Sequence, residues 1–288
     1  MIKKWMALIG PEFVILNLIN MILFYLLLNQ GIVDFGPLLI PLITLSLSIM
    51  GFNSLNMFFD LAIDKLSKPD RPLPQQEISP NTVLFASLFF YVISIFIALN
   101  YSIYLAGLII FFIVCSLLYT HPYFYFRKYL FSTNLFGAIF YSVIPFIAAW
   151  TINKRLFPLE IFILFTILTG IIATTKEFED SEIEKKFNIR SWANTFGKTN
   201  TFRSIIVAME GLLIITLILI LFGFIEQIYL VPTIVSLSIP LLLKNQKIED
   251  KEVITQGSIV TKAMISLLAI EMIYVLPWLI NSGIKIFF

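Results

Sequence analysis

Asn56, Asp60 and Asp64 stand four residues apart at the end of a long apolar run. Positions i, i+4 and i+8 share one face of an α-helix, with steps of about 6 Å between neighbours. A carboxylate pair at the mouth of an apolar helix is costly unless a cation sits there. Oxygen ligands at that spacing suit Mg2+, which is usually held by one or two carboxylates and shared with substrate phosphates. A second acidic stretch runs Lys176-Glu-Phe-Glu-Asp180-Ser-Glu-Ile-Glu184; Asp180 and Glu184 are again i and i+4, and Glu177 lies a turn earlier. Facing one another, the two ends could hold two or three divalent ions, with nearby Lys and Arg on the remaining phosphate oxygens. That arrangement permits departure of diphosphate from an allylic carbon, the metal taking up leaving-group charge. The allylic cation would lie among apolar helices, where water is excluded, until an acceptor meets it. The plainer reading of either cluster is a solvated helix end leaving a membrane.

The elements that must position these ends are membrane spans. The 288 residues are 59% hydrophobic and 13% charged, against roughly 45–50% and 25% in soluble proteins. Nine apolar stretches, near 11–29, 37–59, 82–99, 102–119, 131–150, 157–176, 204–224, 227–243 and 262–281, are long enough to cross a hydrocarbon core of about 30 Å. Pro41, Gly51, Pro145, Pro240 and Pro277 fall within them and are tolerated where neighbouring helices satisfy the freed backbone groups. The expected fold is all-α: a polytopic membrane protein with nine transmembrane helices around a central apolar cavity capped on the cytoplasmic side. Residues 1–288 read as a single membrane-embedded domain. The acidic loop after span 2 is echoed after span 6, a loose sign of two related halves. The run after Met1-Ile-Lys-Lys lacks a small-residue cleavage site and reads as a retained span rather than a signal peptide. The lone Cys115 excludes disulfides within the chain and a multi-cysteine zinc site; the lone His121 suits a helix end at the membrane surface. A net charge of +2 gives no reason to expect nucleic acid, and nothing points to an obligatory protein partner.

Charge orients the chain. With a cytoplasmic N-terminus, seventeen of the twenty Lys and Arg fall on the cytoplasmic side, and Lys154, Arg155 and Lys285 on the other. This is the positive-inside pattern of a multi-pass protein of the cell membrane, and it supports an odd number of spans. Both acidic loops come out on the cytoplasmic face.

In these residues the chain resembles the UbiA superfamily of intramembrane prenyltransferases. The family's first motif, N-x-x-x-D-x-x-x-D followed by (K/E)-P-x-R-P-(I/L)-P, reads here as Asn56, Asp60, Asp64 and then Lys68-Pro69-Asp70-Arg71-Pro72-Leu73-Pro74. The second, K-D-x-x-D-x-x-x-D, is similar to Lys176-Glu177-x-x-Asp180-x-x-x-Glu184, about 120 residues further on. The resemblance implies a Mg2+-dependent transferase joining an allylic prenyl diphosphate to a lipophilic acceptor. It implies Asp60, Asp64, Asp180 and Glu184 as metal ligands, Asn56 on metal or diphosphate, Lys68, Arg71 and Lys176 as candidate diphosphate partners, and Glu177 at the substrate. Tyr119, Tyr123, Arg127 and Lys128 compete for a tyrosine and a basic residue that follow span 4 in relatives, and Asn134 matches an asparagine opening span 5. The chain departs from the pattern at Met57, where many relatives carry aspartate, at Glu177 and Glu184, and at Gly10, where many carry an arginine. The second motif resembles the prenylglyceryl-phosphate, homogentisate and chlorophyll branches more than the 4-hydroxybenzoate branch.

Glu210 and Glu271 fall inside spans, as a proton acceptor or as protonated packing contacts. Asn17 and Asn20 of span 1 read as interhelical contacts first and acceptor contacts second. Two alternatives stand beside transfer: a membrane terpene cyclase or prenyl diphosphate hydrolase sharing the ionisation step, and a non-catalytic cation transporter. Transport favours acids at mid-membrane in broken helices, whereas these acids lie at one face beside Arg and Lys.

Overall fold

The computed structural model describes residues 2–154, 159–244, 257–282 and 286–287. Arg155, Lys247, Lys251 and Lys285 lie outside the described residues, as do residues 157–158, with which the sixth apolar run was expected to begin. Among the described residues nine helices are long and apolar enough to cross a membrane. They are span 1 Pro11–Leu28, span 2 Phe35–Phe59, span 3 Pro80–Tyr101, span 4 Ile103–Thr120, span 5 Ser132–Ile152, span 6 Leu159–Lys176, span 7 Lys198–Leu221, span 8 Gln227–Lys244 and span 9 Thr261–Asn281. Each lies within a few residues of its expected run, except span 7, which starts six residues earlier. A short helix, Ile2–Ile9, precedes span 1, and a two-residue parallel pairing joins Val33–Asp34 to Ile286–Phe287.

The helices are apolar on all sides because one side meets lipid and the other meets neighbouring helices. In span 3, Phe85, Val92 and Phe96 are 70%, 65% and 68% exposed, while Val83, Ser87, Tyr91, Ser94 and Ala98 are buried. The buried side packs on span 2 through small and hydroxylated residues, as interfaces in lipid tend to do. Ser48 and Ser94 share a hydrogen bond of 2.6 Å, and the Ser87 hydroxyl donates to the Gly51 carbonyl at 2.8 Å. A Cβ on Gly51 would lie 2.8 Å from the Tyr91 ring. Spans 5 and 6 approach even more closely: a Cβ on Gly137 would overlap the Ala173 Cβ.

Span 5 is interrupted by a π-helical segment at Ile139–Val143, directly before Pro145. Proline has no N–H to donate to the carbonyl four residues back, here that of Tyr141. Asn20 of span 1 fills the vacancy, its Nδ2 donating to the Tyr141 carbonyl at 2.7 Å. Asn20 is therefore a packing contact.

The two acidic motifs begin where spans 2 and 6 end. Span 2 passes through Asp60 into the short helix Leu61–Ser67 without losing its ladder: Asp60, Asp64 and Lys68 N–H groups each donate four residues back at 2.8 Å. Asn56, Asp60 and Asp64 thus keep one face, and Pro69 stops the helix. Span 6 passes through Lys176 into the helix Glu177–Lys186, which packs against Leu61–Ser67. The loop between spans 2 and 3 is anchored by its own small core, in which Leu73 and Ile78 meet Leu8, Met57, Val83 and Ala86.

Candidate active site

A pocket opens at the end of the bundle where spans 2 and 6 finish. Its polar rim is formed by Asn56, Asp60, Asp64, Lys68, Arg71, Arg127, Lys176, Glu177, Asp180 and Glu184, with Asn53 and Thr133 beside them. Its floor is aromatic: Phe13, Phe52, Tyr119, Phe136, Phe140 and Tyr141, with the small Gly137 and Ala173. The rings touch in series, Phe52 to Phe140 at 4.7 Å between centroids, Tyr119 to Phe136 at 5.1 Å and Phe136 to Phe140 at 5.8 Å.

Arg127 ties the two acidic ends together. One guanidinium nitrogen bonds Asp60 Oδ2; the other bonds Glu184 Oε1 at 3.1 Å and lies 3.9 Å from Asp180. Lys68 crosses the same gap to Asp180 at 2.8 Å, and Arg71 turns back onto Asp64 at 2.7 Å. Two motifs about 120 residues apart in sequence therefore meet around one set of cations. The Arg127 side chain points inward from a tight turn, Phe126–Lys128, entered through Tyr125 at φ 40°.

Burial dominates the electrostatics of the rim. It pushes the Asp60 and Glu184 carboxyls up, against the pull of Arg127. It pushes Glu177 up to about 7, although Thr133 and the backbone N–H groups of Trp192 and Ala193 favour its charged form. Arg127 is penalised by its own burial, but Asp60 and Glu184 outweigh that and raise it well above the ordinary value. Tyr125 is raised to about 12 by burial and by Asp60, so its hydroxyl keeps its proton.

Most residues expected at the site converge there; three do not. Tyr123 is 85% exposed, because the turn that throws Arg127 inward throws it outward. Lys128 points away from the pocket, its ammonium 5.1 Å from the Tyr129 ring, while its carbonyl accepts from the Arg190 N–H. Asn134 is a brace: its Nδ2 donates to the Gly170 carbonyl and Thr174 hydroxyl at 3.0 and 2.7 Å, and its Oδ1 accepts from Trp192 Nε1 at 2.8 Å. That brace holds spans 5 and 6 to the helix Trp192–Phe196, whose first N–H groups meet Glu177.

The departures from the family pattern have local reasons. Met57 turns a third of a helical turn away from Asn56 and is buried against the loop core. Gly10 sits between Ile2–Ile9 and span 1 at φ +59°, and a Cβ there would lie 2.5 Å from Asn53 Nδ2, so a side chain at this position would be strained and would displace the Asn53 amide. Asn53 itself donates to the Ile9 carbonyl at 2.8 Å; as a pocket residue it was not expected from the motif. Nor were Tyr141, Thr133 or the individual phenylalanines, which no spacing in the sequence distinguishes. Glu271 is buried with neither carboxyl oxygen hydrogen-bonded, Glu210 is half-buried, and neither lines the pocket. His121 caps span 4, and Cys115 is buried and free.

The family model of UbiA prenyltransferases matches residues 17–258. The chain belongs to the UbiA prenyltransferase family. It is thus a multi-pass membrane prenyltransferase, which sets the transporter alternative aside. It is 24% identical over 260 residues to the digeranylgeranylglyceryl phosphate synthase of Saccharolobus solfataricus, covering 86% of this chain and 89% of that one. The synthase of Methanocaldococcus jannaschii is 26% identical over 203 residues, 70% of each chain. Among solved structures, a UbiA homologue from Archaeoglobus fulgidus bound to DMAPP and Mg2+ superposes with a TM-score of 0.71 at 18% identity, over 94% of this chain and 99% of that one. A digeranylgeranylglyceryl phosphate synthase structure gives 0.67 at 21% identity, over 98% of both chains. These matches establish the UbiA fold for the nine spans.

Proposed function

We propose that this prenyltransferase moves a prenyl group from an allylic prenyl diphosphate onto the hydroxyl of a prenylglyceryl phosphate, with Mg2+, at the cytoplasmic face of the membrane. The observation that carries the reading is the Arg127 bridge between Asp60 and Glu184, which sets both acidic ends over one aromatic-floored pocket. The acceptor follows the relatives, which are named digeranylgeranylglyceryl phosphate synthases. The cytoplasmic placement rests on charge: the pocket end carries Lys65, Lys68, Arg71, Arg127, Lys128, Lys185, Lys186, Arg190, Lys198 and Arg203, and Lys154 lies at the other end. Residues 1–288 act as one membrane-embedded unit.

The rim fits a hard divalent cation. Asp60 Oδ1 and Glu184 Oε2 are buried with no hydrogen-bond partner. Among the described residues no group of three or more His, Cys, Asp or Glu side chains is placed to hold a metal ion by itself, so the ion would need substrate phosphate oxygens as further ligands. Asp60, Asp64, Asp180 and Glu184 would hold it, with Asn56 beside them. Bound there, Mg2+ supplies Lewis acidity and offsets charge on the leaving diphosphate.

The chain's own residues do the rest. Arg127, Lys68 and Arg71 exchange carboxylate partners for diphosphate oxygens, favouring the state in which the allylic C–O bond has broken and its electron pair has left with diphosphate. The faces of Phe52, Tyr119, Phe136 and Phe140 favour the allylic cation and exclude water from it. The acceptor hydroxyl oxygen then bonds the allylic carbon, and its proton passes to the diphosphate.

The test is purified protein with radiolabelled geranylgeranyl diphosphate, given prenylglyceryl phosphate, an aromatic acceptor or none. The reading expects labelled ether only with prenylglyceryl phosphate, and none after chelation of Mg2+. Diphosphate release at full rate without acceptor would make the protein a cyclase or hydrolase instead.

A further inference from the structure

Two loops at the pocket end treat their apolar residues in opposite ways. Between spans 2 and 3, Leu73 and Ile78 are buried in the loop's own core, while Asp70, Gln75, Gln76 and Glu77 are exposed. Such a surface belongs in water. Between spans 4 and 5, Tyr123, Phe124, Phe126, Tyr129 and Phe131 are each at least 40% exposed. A run of bare rings on one loop is unfavourable in water and marks a surface that something covers.

The position of the loop says what covers it. Thr120 ends span 4 and Ser132 opens span 5. Val114 and Leu117 of span 4 and Leu135 of span 5 are exposed as well, so the rings continue a surface that already meets lipid. Two tight turns keep the loop low: the Tyr125 N–H donates to the His121 carbonyl at 2.8 Å, and the Tyr129 N–H to the Phe126 carbonyl at 3.0 Å. Headgroups widen a hydrocarbon core of about 30 Å to about 40–45 Å, leaving a polar layer of roughly 5–7 Å on each side. Tyrosine suits that layer, with an apolar body and a polar tip.

Charge at the edge of the patch completes the match. Lys128 is exposed among the rings, and the N–H of the exposed Arg190 donates to its carbonyl at 3.0 Å. On the helix before Arg190, the exposed Glu182 is paired with Lys185 at 3.6 Å. We propose that the loop between spans 4 and 5 is a membrane-surface anchor: its rings lie among the headgroups of the leaflet on the pocket side, and Lys128 and Arg190 hold anionic lipid phosphates there. Arg127 leaves the same turn inward, its guanidinium on Asp60 and Glu184 and its carbonyl accepting from the Ser132 hydroxyl at 3.2 Å. The bilayer thus braces, from outside, the turn that carries the cation joining the two acidic ends.

The experiment places a nitroxide at position 123 through Tyr123→Cys, Cys115 being buried, and a second, in a separate chain, through Glu182→Cys. Each full-length protein is reconstituted in vesicles of phosphatidylcholine, with and without phosphatidylglycerol. Oxygen, which partitions into lipid, and a water-soluble nickel chelate relax the label according to its depth. The label at 123 should respond more to oxygen and less to the chelate than the label at 182. Phosphatidylglycerol should shift it further toward lipid, and high salt should reverse that shift. Lys128→Ser with Arg190→Ser should lose the response to both, and Phe124→Ser with Tyr129→Ser should move the label toward water. A label at 123 as open to the chelate as the one at 182 overturns the anchor. A label closed to both reagents overturns it too, because a protein, a second copy or another chain, then covers the loop. A depth indifferent to phosphatidylglycerol and salt overturns the assignment of lipid phosphates to Lys128 and Arg190.

Discussion

At the scale of single residues, Arg127 joins the two acidic ends. Its guanidinium satisfies carboxylates that are otherwise buried, and removing one partner of a buried ion pair typically costs about 3–5 kcal/mol. Arg127→Met should therefore lower the unfolding temperature of the metal-free protein, and added Mg2+ with a diphosphate should recover part of the loss. Thermal unfolding in detergent measures both, and an unchanged midpoint would mean that the acids need no counter-charge. Asp64→Ala and Asp180→Ala should each abolish turnover with little loss of fold, since both stand at the pocket mouth. If either unfolds in detergent, its role is structural. Glu177 gives a pH dependence. Burial raises its carboxyl to about 7 from an ordinary value of 4.5, so between those values the folded chain holds a proton that the unfolded chain has released. Its contribution to stability is complete below pH 4.5, falls as pH rises, and is gone above about 7. The buried Asp60 and Glu184 carboxyls are raised too and act in the same direction. Without Mg2+ the unfolding temperature should drop between pH 5 and 8, and Glu177→Gln should flatten part of the drop; a rise over that window contradicts it.

At the scale of elements, the pocket depends on how closely spans 5 and 6 meet. A Cβ on Gly137 would overlap that of Ala173, and both residues line the pocket. Overpacking of this kind costs about 1–3 kcal/mol, so Gly137→Ala should lower both stability and turnover. Ala173→Gly in the same chain should restore both, and additive losses in the double variant would show that the two do not meet. The spans and both acidic motifs are legible in the sequence because a twenty-residue apolar run and an i, i+4 acid pair each have few alternative readings. The aromatic floor is not legible. Phe52, Phe136 and Phe140 belong to a set of 29 phenylalanines, and in a helix apolar all round no period separates rings facing lipid from rings facing the pocket. Tyr123 and Tyr125 are likewise two residues apart in a loop, and only the turn at Tyr125 decides which of them turns outward. The brace role of Asn134 depends on Trp192, 58 residues away.

In the whole molecule, two helix ends from opposite halves of the chain meet at one mouth, which we propose faces the cytoplasm. Orientation can be read directly, since Cys115 is buried and engineered cysteines will report alone. A cysteine at Lys154 should react with a membrane-impermeant maleimide from outside intact cells, and one at Lys65 only after lysis; the reverse pattern would invert the protein. The most direct test of the central claim is binding of a non-ionising thiolo analogue of a prenyl diphosphate, titrated with Mg2+ by calorimetry. The account predicts Mg2+-dependent binding to the unaltered protein, lost when the acid is removed from either end alone, by Asp64→Asn or by Asp180→Asn. Binding that survives removal of either acid, or that ignores Mg2+, would mean that the two ends do not form one site.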